Sequence, residues 1–240
     1  TRVALAEGRN LVPGTIRRYS NVDYPGLETV LRRYIDDEGG VDPIAACVAV
    51  AGPVRDSSAT MTNLDWTIDK NTLRRATNAD NVAILNDLQA QGHALGHLDP
   101  ANIRTLIDGP SGQAHAARLV VGVGTGFNVA PVYETGDGRL VTPSESGHAN
   151  LPIRDERELR LCQFVSNAHG FPAVEDVLSG RGLERVYAFL GEESGSPAEK
   201  KAQDIMSACA DESDPHAIEA ARMFSRILGT VCGNLSLIQL

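Results

Sequence analysis

At 240 residues the chain has room for one large domain or two small ones, with ample length for a buried core. It is 42% hydrophobic and 22% charged, as a soluble globular protein is, and its net charge of −9 argues against nucleic acid or an anionic membrane as the main partner. No apolar run approaches the ~20 residues of a membrane helix, and the start carries no signal-peptide pattern.

The four cysteines (47, 162, 209 and 232) are far apart, with no C-x-x-C pair, so they read as reduced, mostly buried residues of a cytoplasmic protein rather than a zinc site. Both ends read as cut. Thr1 opens inside an apparent strand and Leu240 closes an uncapped apolar run, so further residues are expected on each side.

In chain order, residues 2–6 and 15–20 read as paired strands around Gly8, Asn10, Pro13 and Gly14. Leu27, Val30, Leu31, Tyr34 and Ile35 form one apolar helical stripe that ends at Gly39 and Gly40. Residues 44–51 are a continuous run of small apolar residues, as expected of a strand buried on both faces. A short strand is expected at 59–62 and a short helix at 69–77, with Asp69 as its N-cap. Residues 82–85 make a second buried strand whose carboxyl end delivers Asn86 and Asp87, followed by a helix over 88–98. This strand–helix alternation predicts an α/β sheet, in which ligands collect beyond the carboxyl ends of strands.

A second set of strands is expected at 103–107, 119–123, 127–133 and 140–142. Helices are expected over 155–167 and 182–190. A long last helix should be capped by Asp214, with Pro215 at its first position and Ile218, Ala221, Phe224, Leu228 and Val231 on one face. Residues 191–201 are polar enough for a mobile loop.

Two β-rich runs flank Gly122, Gly124, Thr125 and Gly126. A dinucleotide fingerprint opens a helix, whereas here a second strand follows, so the segment is a glycine hairpin in which glycine would permit positive φ. Bare amides in such a turn can cradle phosphate, and Thr125 adds a hydroxyl; an ordinary hairpin is the bland alternative. Asp87, at a strand–helix junction, is either a helix cap or a carboxylate poised to accept a hydroxyl proton in phosphoryl transfer. Glu145 and His148 share one Gly-containing loop and could meet a polyhydroxylated ligand, or simply face solvent. His93 and His97 are four apart but lack the glutamate of H-E-x-x-H and read as helix-surface residues. No G-x-S-x-G elbow is present. Trp66, the only tryptophan, suits core packing or a sugar-facing loop.

Six stretches taken in order resemble the bacterial glucokinases of the hexokinase–actin-like superfamily. They are Val48-Ala-Val-Ala-Gly-Pro53, Met61-Thr-Asn-Leu-Asp-Trp66, Ile84-Leu-Asn-Asp87, Gly122-Val-Gly-Thr-Gly126, Glu145-Ser-Gly-His148 and Val177-Leu-Ser-Gly-Arg-Gly-Leu183. The resemblance implies an α/β, two-domain actin-like (ribonuclease H-like) ATPase fold: a small domain over 1–97, a large one over 98–240, and a sugar cleft between them. It implies ATP-dependent phosphorylation of glucose with Mg²⁺, Asp87 as the base, and Asn86, Glu145, His148, Glu175 and Asn63 as sugar-binding residues. Gly122, Gly124, Thr125 and Gly126 would form the second phosphate loop, and a homodimer is expected by analogy.

The family's first phosphate loop would precede Thr1 and its adenosine segment would follow Leu240. Asn128, Ser144 and Ser146 depart from a glycine-richer pattern. Two alternatives are a kinase for another hexose or amino sugar, and a non-catalytic sugar sensor. A related group of kinases and repressors with a cysteine-rich zinc site ranks lower, because no such cysteine cluster exists here.

Overall fold

The computed structural model describes residues 1–61, 64–109, 116–136 and 138–238. Its contacts divide the chain into two compact units, Thr1–Asp108 and Gly109–Leu240. Both are mixed α/β.

The first unit opens with four two-residue strands: β1 (Arg2–Val3), β2 (Ala6–Glu7), β3 (Asn10–Leu11) and β4 (Arg17–Arg18). β1 pairs with β4 and β2 with β3, all antiparallel. Helix α1 (Leu27–Asp37) follows its predicted stripe and buries Leu27, Val30 and Tyr34. β5 (Ala45–Val50) lies parallel to β9 (Asn81–Asn86), with Val48 opposite Ile84. Between them run the small antiparallel strands β6 (Val54–Arg55), β7 (Ser58–Thr60) and β8 (Thr67–Asp69), then helix α2 (Lys70–Thr77). Asp69 caps α2 as expected, accepting the Thr72 N–H at 2.6 Å. The core gathers Leu27, Val30, Val50, Trp66, Ile68 and Leu73, so the tryptophan packs inside.

β5 is not buried on both faces. Successive side chains alternate across a strand; Val48 and Val50 meet the core, while Ala45, Cys47 and Ala49 are exposed. The bulky row carries the burial, and the row of small residues costs little when left in water. Helix α3 (Asp87–Ala94) is shorter than predicted, and residues 103–107 form no strand: Ile103, Leu106 and Ile107 stand exposed.

The second unit holds a three-stranded antiparallel sheet ordered β10 (Arg118–Val123), β11 (Phe127–Thr135), β12 (Gly138–Val141). Against it pack α4 (Glu156–His169), α5 (Val174–Val177), α6 (Gly180–Glu193), α7 (Ala202–Ala210) and α8 (Pro215–Ile238). Leu161, Val165, Val177, Val186, Ile205 and Ile227 are almost completely buried. Asp214 accepts the His216 and Ala217 amides at the start of α8, where the cap was expected.

The buried row of α8 is Ala217, Ala220, Met223, Ile227 and Val231, a neighbouring stripe to the predicted one. Small alanines let α6 and α7 approach closely, while Phe224 and Leu228 sit at the edge. α7 was not anticipated. Nor are residues 194–201 a loose loop: Ser196 N–H bonds Gly191 O at 2.8 Å, and Lys200 is ion-paired with Asp214.

Cys47 is exposed and the other cysteines are half-buried; all four are free thiols. Among the described residues no helix is long and apolar enough to cross a membrane.

Candidate active site

In the first unit, β9 delivers Asn86 to the start of α3. Asn86, not Asp87, is the cap. Its Oδ1 accepts the Leu88 and Gln89 amides at 2.9 and 3.2 Å, while Gln89 Oε1 accepts the Asn86 N–H at 3.1 Å. This reciprocal capping box satisfies the helix end. Asp87 is relieved of that task; its carboxylate is exposed and, among the described residues, accepts the Leu88 amide at 2.9 Å. The expected Asn63 lies outside the described residues. His93 and His97 are exposed, and the described residues hold no cluster of three or more metal-ligating side chains.

In the second unit, β10 and β11 close over Gly124, Thr125 and Gly126, in the register Gly122 opposite Asn128 and Val123 opposite Phe127. The turn is tied by Gly124 N–H to Gly126 O at 2.9 Å, and Gly124 and Thr125 face solvent. Positive φ is not why glycine is needed here: Gly122, Gly124 and Gly126 all lack it. A Cβ at Gly126 would lie 2.4 Å from Glu175 Oε2, so a larger residue there would push that carboxylate aside.

Glu175 is the hub of this corner. Its Oε2 accepts the Phe127 N–H at 3.0 Å. Residues 149–151 run antiparallel to 172–174, with Val174 N–H bonded to Ala149 O at 2.9 Å and Leu151 N–H to Pro172 O at 3.1 Å. That pairing sets α5 beside the short 3₁₀ turn Ser146–His148. Glu145 and His148 project from this turn with Nδ1 and Oε2 3.8 Å apart and side chains 59% and 71% exposed, so both can meet a ligand. Gly147 is buried beneath them, where a Cβ would lie 2.1 Å from Phe127 O.

The stretch Val177-Leu-Ser-Gly-Arg-Gly-Leu183, to which sequence reasoning assigned no role, buttresses the turn. Ser179 caps α6 by accepting the Gly182 N–H at 3.0 Å, and Gly180 N–H bonds Gly124 O at 2.8 Å. Arg181 comes within 3.8 Å of Glu175 Oε1. Asn128, Ser144 and Ser146 form a hydrogen-bonded group beneath the Glu145 loop; nothing in their spacing signalled it. Two carboxylates, an imidazole and an exposed glycine turn thus share one corner. These groups can accept from and donate to several hydroxyls beside a turn able to take an anion.

The glucokinase family model matches residues 1–240. The chain is 30% identical over 238 residues to the glucokinase of Brucella abortus, covering 99% of this chain and 69% of that one. It is 33% identical over 219 residues to the glucokinase of Saccharophagus degradans, covering 90% and 67%. Among solved structures it is similar to a glucokinase from an Antarctic psychrotroph, with TM-score 0.84, 24% identity and coverage of 99% of this chain and 74% of that one. It is also similar to the Balamuthia mandrillaris glucokinase in complex with glucose, with TM-score 0.71, 22% identity and coverage of 98% and 73%. The two structures share the fold; the match of the family model along the whole chain shows more, namely that the chain belongs to the glucokinase family.

Proposed function

We propose that the chain phosphorylates glucose at its 6-hydroxyl with ATP, in a two-domain actin-like fold whose sugar cleft lies between a small and a large domain. The small domain of this reading spans residues 1–97 and the large one residues 98–240. The observation that supports this best is the grouping of Glu145, His148 and Glu175 beside the Gly124–Gly126 turn in a chain that matches the glucokinase family throughout.

Asp87 accepts the proton of the 6-hydroxyl as its oxygen attacks the γ-phosphorus and the bond to the ADP oxygen breaks. The amide group of Asn86, with Glu145, His148, Glu175 and Asn63, holds the remaining hydroxyls and aligns the nucleophile, which accounts for much of the rate. Gly122, Gly124, Thr125 and Gly126 receive a phosphate of ATP. Mg²⁺ enters as part of the substrate Mg-ATP, a mode in which it needs only one or two carboxylates besides phosphate and water. The proposed compartment is the cytoplasm and the proposed assembly a homodimer, which light scattering would report as twice the mass of one chain.

The test is ADP release from Mg-ATP in the presence of glucose, mannose, fructose, N-acetylglucosamine or no sugar. Glucose-dependent release supports the reading. Release with another sugar alone keeps the mechanism and changes the substrate. No release with any sugar, from folded full-length protein, refutes it.

A further inference from the structure

The turn bearing Glu145 and His148 has little main-chain support of its own. Its internal hydrogen bonds are His148 N–H to Glu145 O at 3.0 Å and Ala149 N–H to Ser146 O at 3.2 Å. A single 3₁₀ turn has weak hydrogen-bond geometry and does not by itself aim its first residue.

The aim comes from Asn128, the second residue of β11. Its Oδ1 accepts the Ser146 N–H at 3.0 Å and lies 3.1 Å from Ser144 Oγ, while its Nδ2 donates to Ser144 O. Ser144 Oγ also reaches Val129 O at 2.9 Å and Ser146 Oγ at 3.0 Å. One amide therefore grips the residue before Glu145 and the residue after it. Only a side chain with both a donor and an acceptor at this length can do so. An aspartate would turn a bond to Ser144 O into a repulsion, and a glycine or alanine would leave the Ser146 amide and the Ser144 carbonyl to find other partners.

We infer that Asn128, acting with Ser144 and Ser146, is the positioning residue that sets the direction of Glu145 and His148, and through them the strength and selectivity of sugar binding. It does so without touching the ligand. The inference rests on the proposal that Glu145 and His148 hold the sugar.

The test uses Asn128→Ala and Asn128→Asp, with two readouts. Hydrogen exchange in the folded protein compares residues 143–149 with β10, and steady-state kinetics separates sugar KM, ATP KM and kcat. Asn128→Ala should speed exchange in 143–149 about tenfold and leave β10 protected. Its sugar KM should rise about tenfold, with kcat and ATP KM held within about twofold. Asn128→Asp keeps the acceptor for the Ser146 amide but sets a carboxylate oxygen against Ser144 O, so it should shift both readouts in the same direction as the alanine variant. Should Asn128→Ala fail to fold, Ser144→Ala removes one hydroxyl and should shift both readouts in the same direction by less.

Unchanged loop exchange with unchanged sugar KM overturns the inference. So does an equal rise in sugar and ATP KM, since that would mean Asn128 merely supports the hairpin. A wild-type protein that phosphorylates no sugar would defeat the proposed function instead, while the exchange arm still decides whether Asn128 holds the loop.

Discussion

Gly147→Ala probes how closely the sugar loop rests on β11. An added Cβ at Gly147 would lie 2.1 Å from the Phe127 carbonyl oxygen, 3.2 Å from its carbon and 3.4 Å from Glu175 Cβ. Even close C–H···O contacts keep carbon and oxygen about 3.3 Å apart, so one of the two backbones must retreat by about 1 Å. The obstacle is main chain within a sheet, not the end of a flexible side chain, so relief is expensive. Overpacking of this kind costs about 1–3 kcal/mol. Because Glu145 and His148 ride on the loop, a displacement of about 1 Å should also lower kcat/KM for the sugar by about 10- to 100-fold. Urea denaturation at constant m-value measures the first quantity and initial-rate kinetics the second. Gly109→Ala is the control, since its Cβ meets nothing within 4 Å; its stability should stay within about 0.5 kcal/mol of wild type. If Gly147→Ala matched wild type in both stability and sugar kcat/KM, the loop could not rest on Phe127 as described.

Asp87→Asn should cut kcat by about 10²- to 10⁴-fold, the usual worth of a general base, with sugar KM little changed; a wild-type kcat would remove Asp87 from the mechanism. Lys200, helped by the Tyr187 hydroxyl and the first amides of α8, holds the Asp214 carboxyl far below the usual carboxylate range. A depressed folded pKa stabilises above the unfolded value of about 3.9, and that stabilisation is lost as pH falls toward the folded pKa. The urea midpoint of wild type should therefore fall more between about pH 5 and about pH 3 than that of Asp214→Asn, and equal falls would refute the linkage. Ile227→Ala, at a side chain 1% exposed in the second core, should lose about 2–5 kcal/mol; a loss under about 1 kcal/mol would mean the helices close over the gap.

Local patterns carried much of the fold. The stripe of α1, the Asp69 cap of α2, the β10–β11 hairpin and the Asp214–Pro215 start of α8 each depend on residues a few positions apart. Such spacings read directly as period and cap. The failures arise where burial depends on distant partners. Residues 103–107 look like a strand by composition but find no neighbouring strand among the described residues, and the exposed face of β5 depends on which side of the sheet the helices cover. Which stripe of α8 faces inward is set by the close packing of α6 and α7, not by hydrophobicity alone.

The candidate site divides along the same line. The amino-acid sequence by itself put Glu145, Gly147 and His148 on one short turn and three glycines in one hairpin, because those groupings are contiguous. Only the tertiary structure brought Glu175 under the hairpin, through the pairing of 149–151 with 172–174, and only it gave Gly147 its reason for being glycine. It also gave Asn86 the capping role that frees Asp87, and Asn128 its grip on both neighbours of Glu145. The physical reason is the same in each case. A residue type and its spacing specify what a side chain can bond, but a hydrogen bond or a steric contact needs a partner within about 3 Å, and chain folding alone chooses that partner.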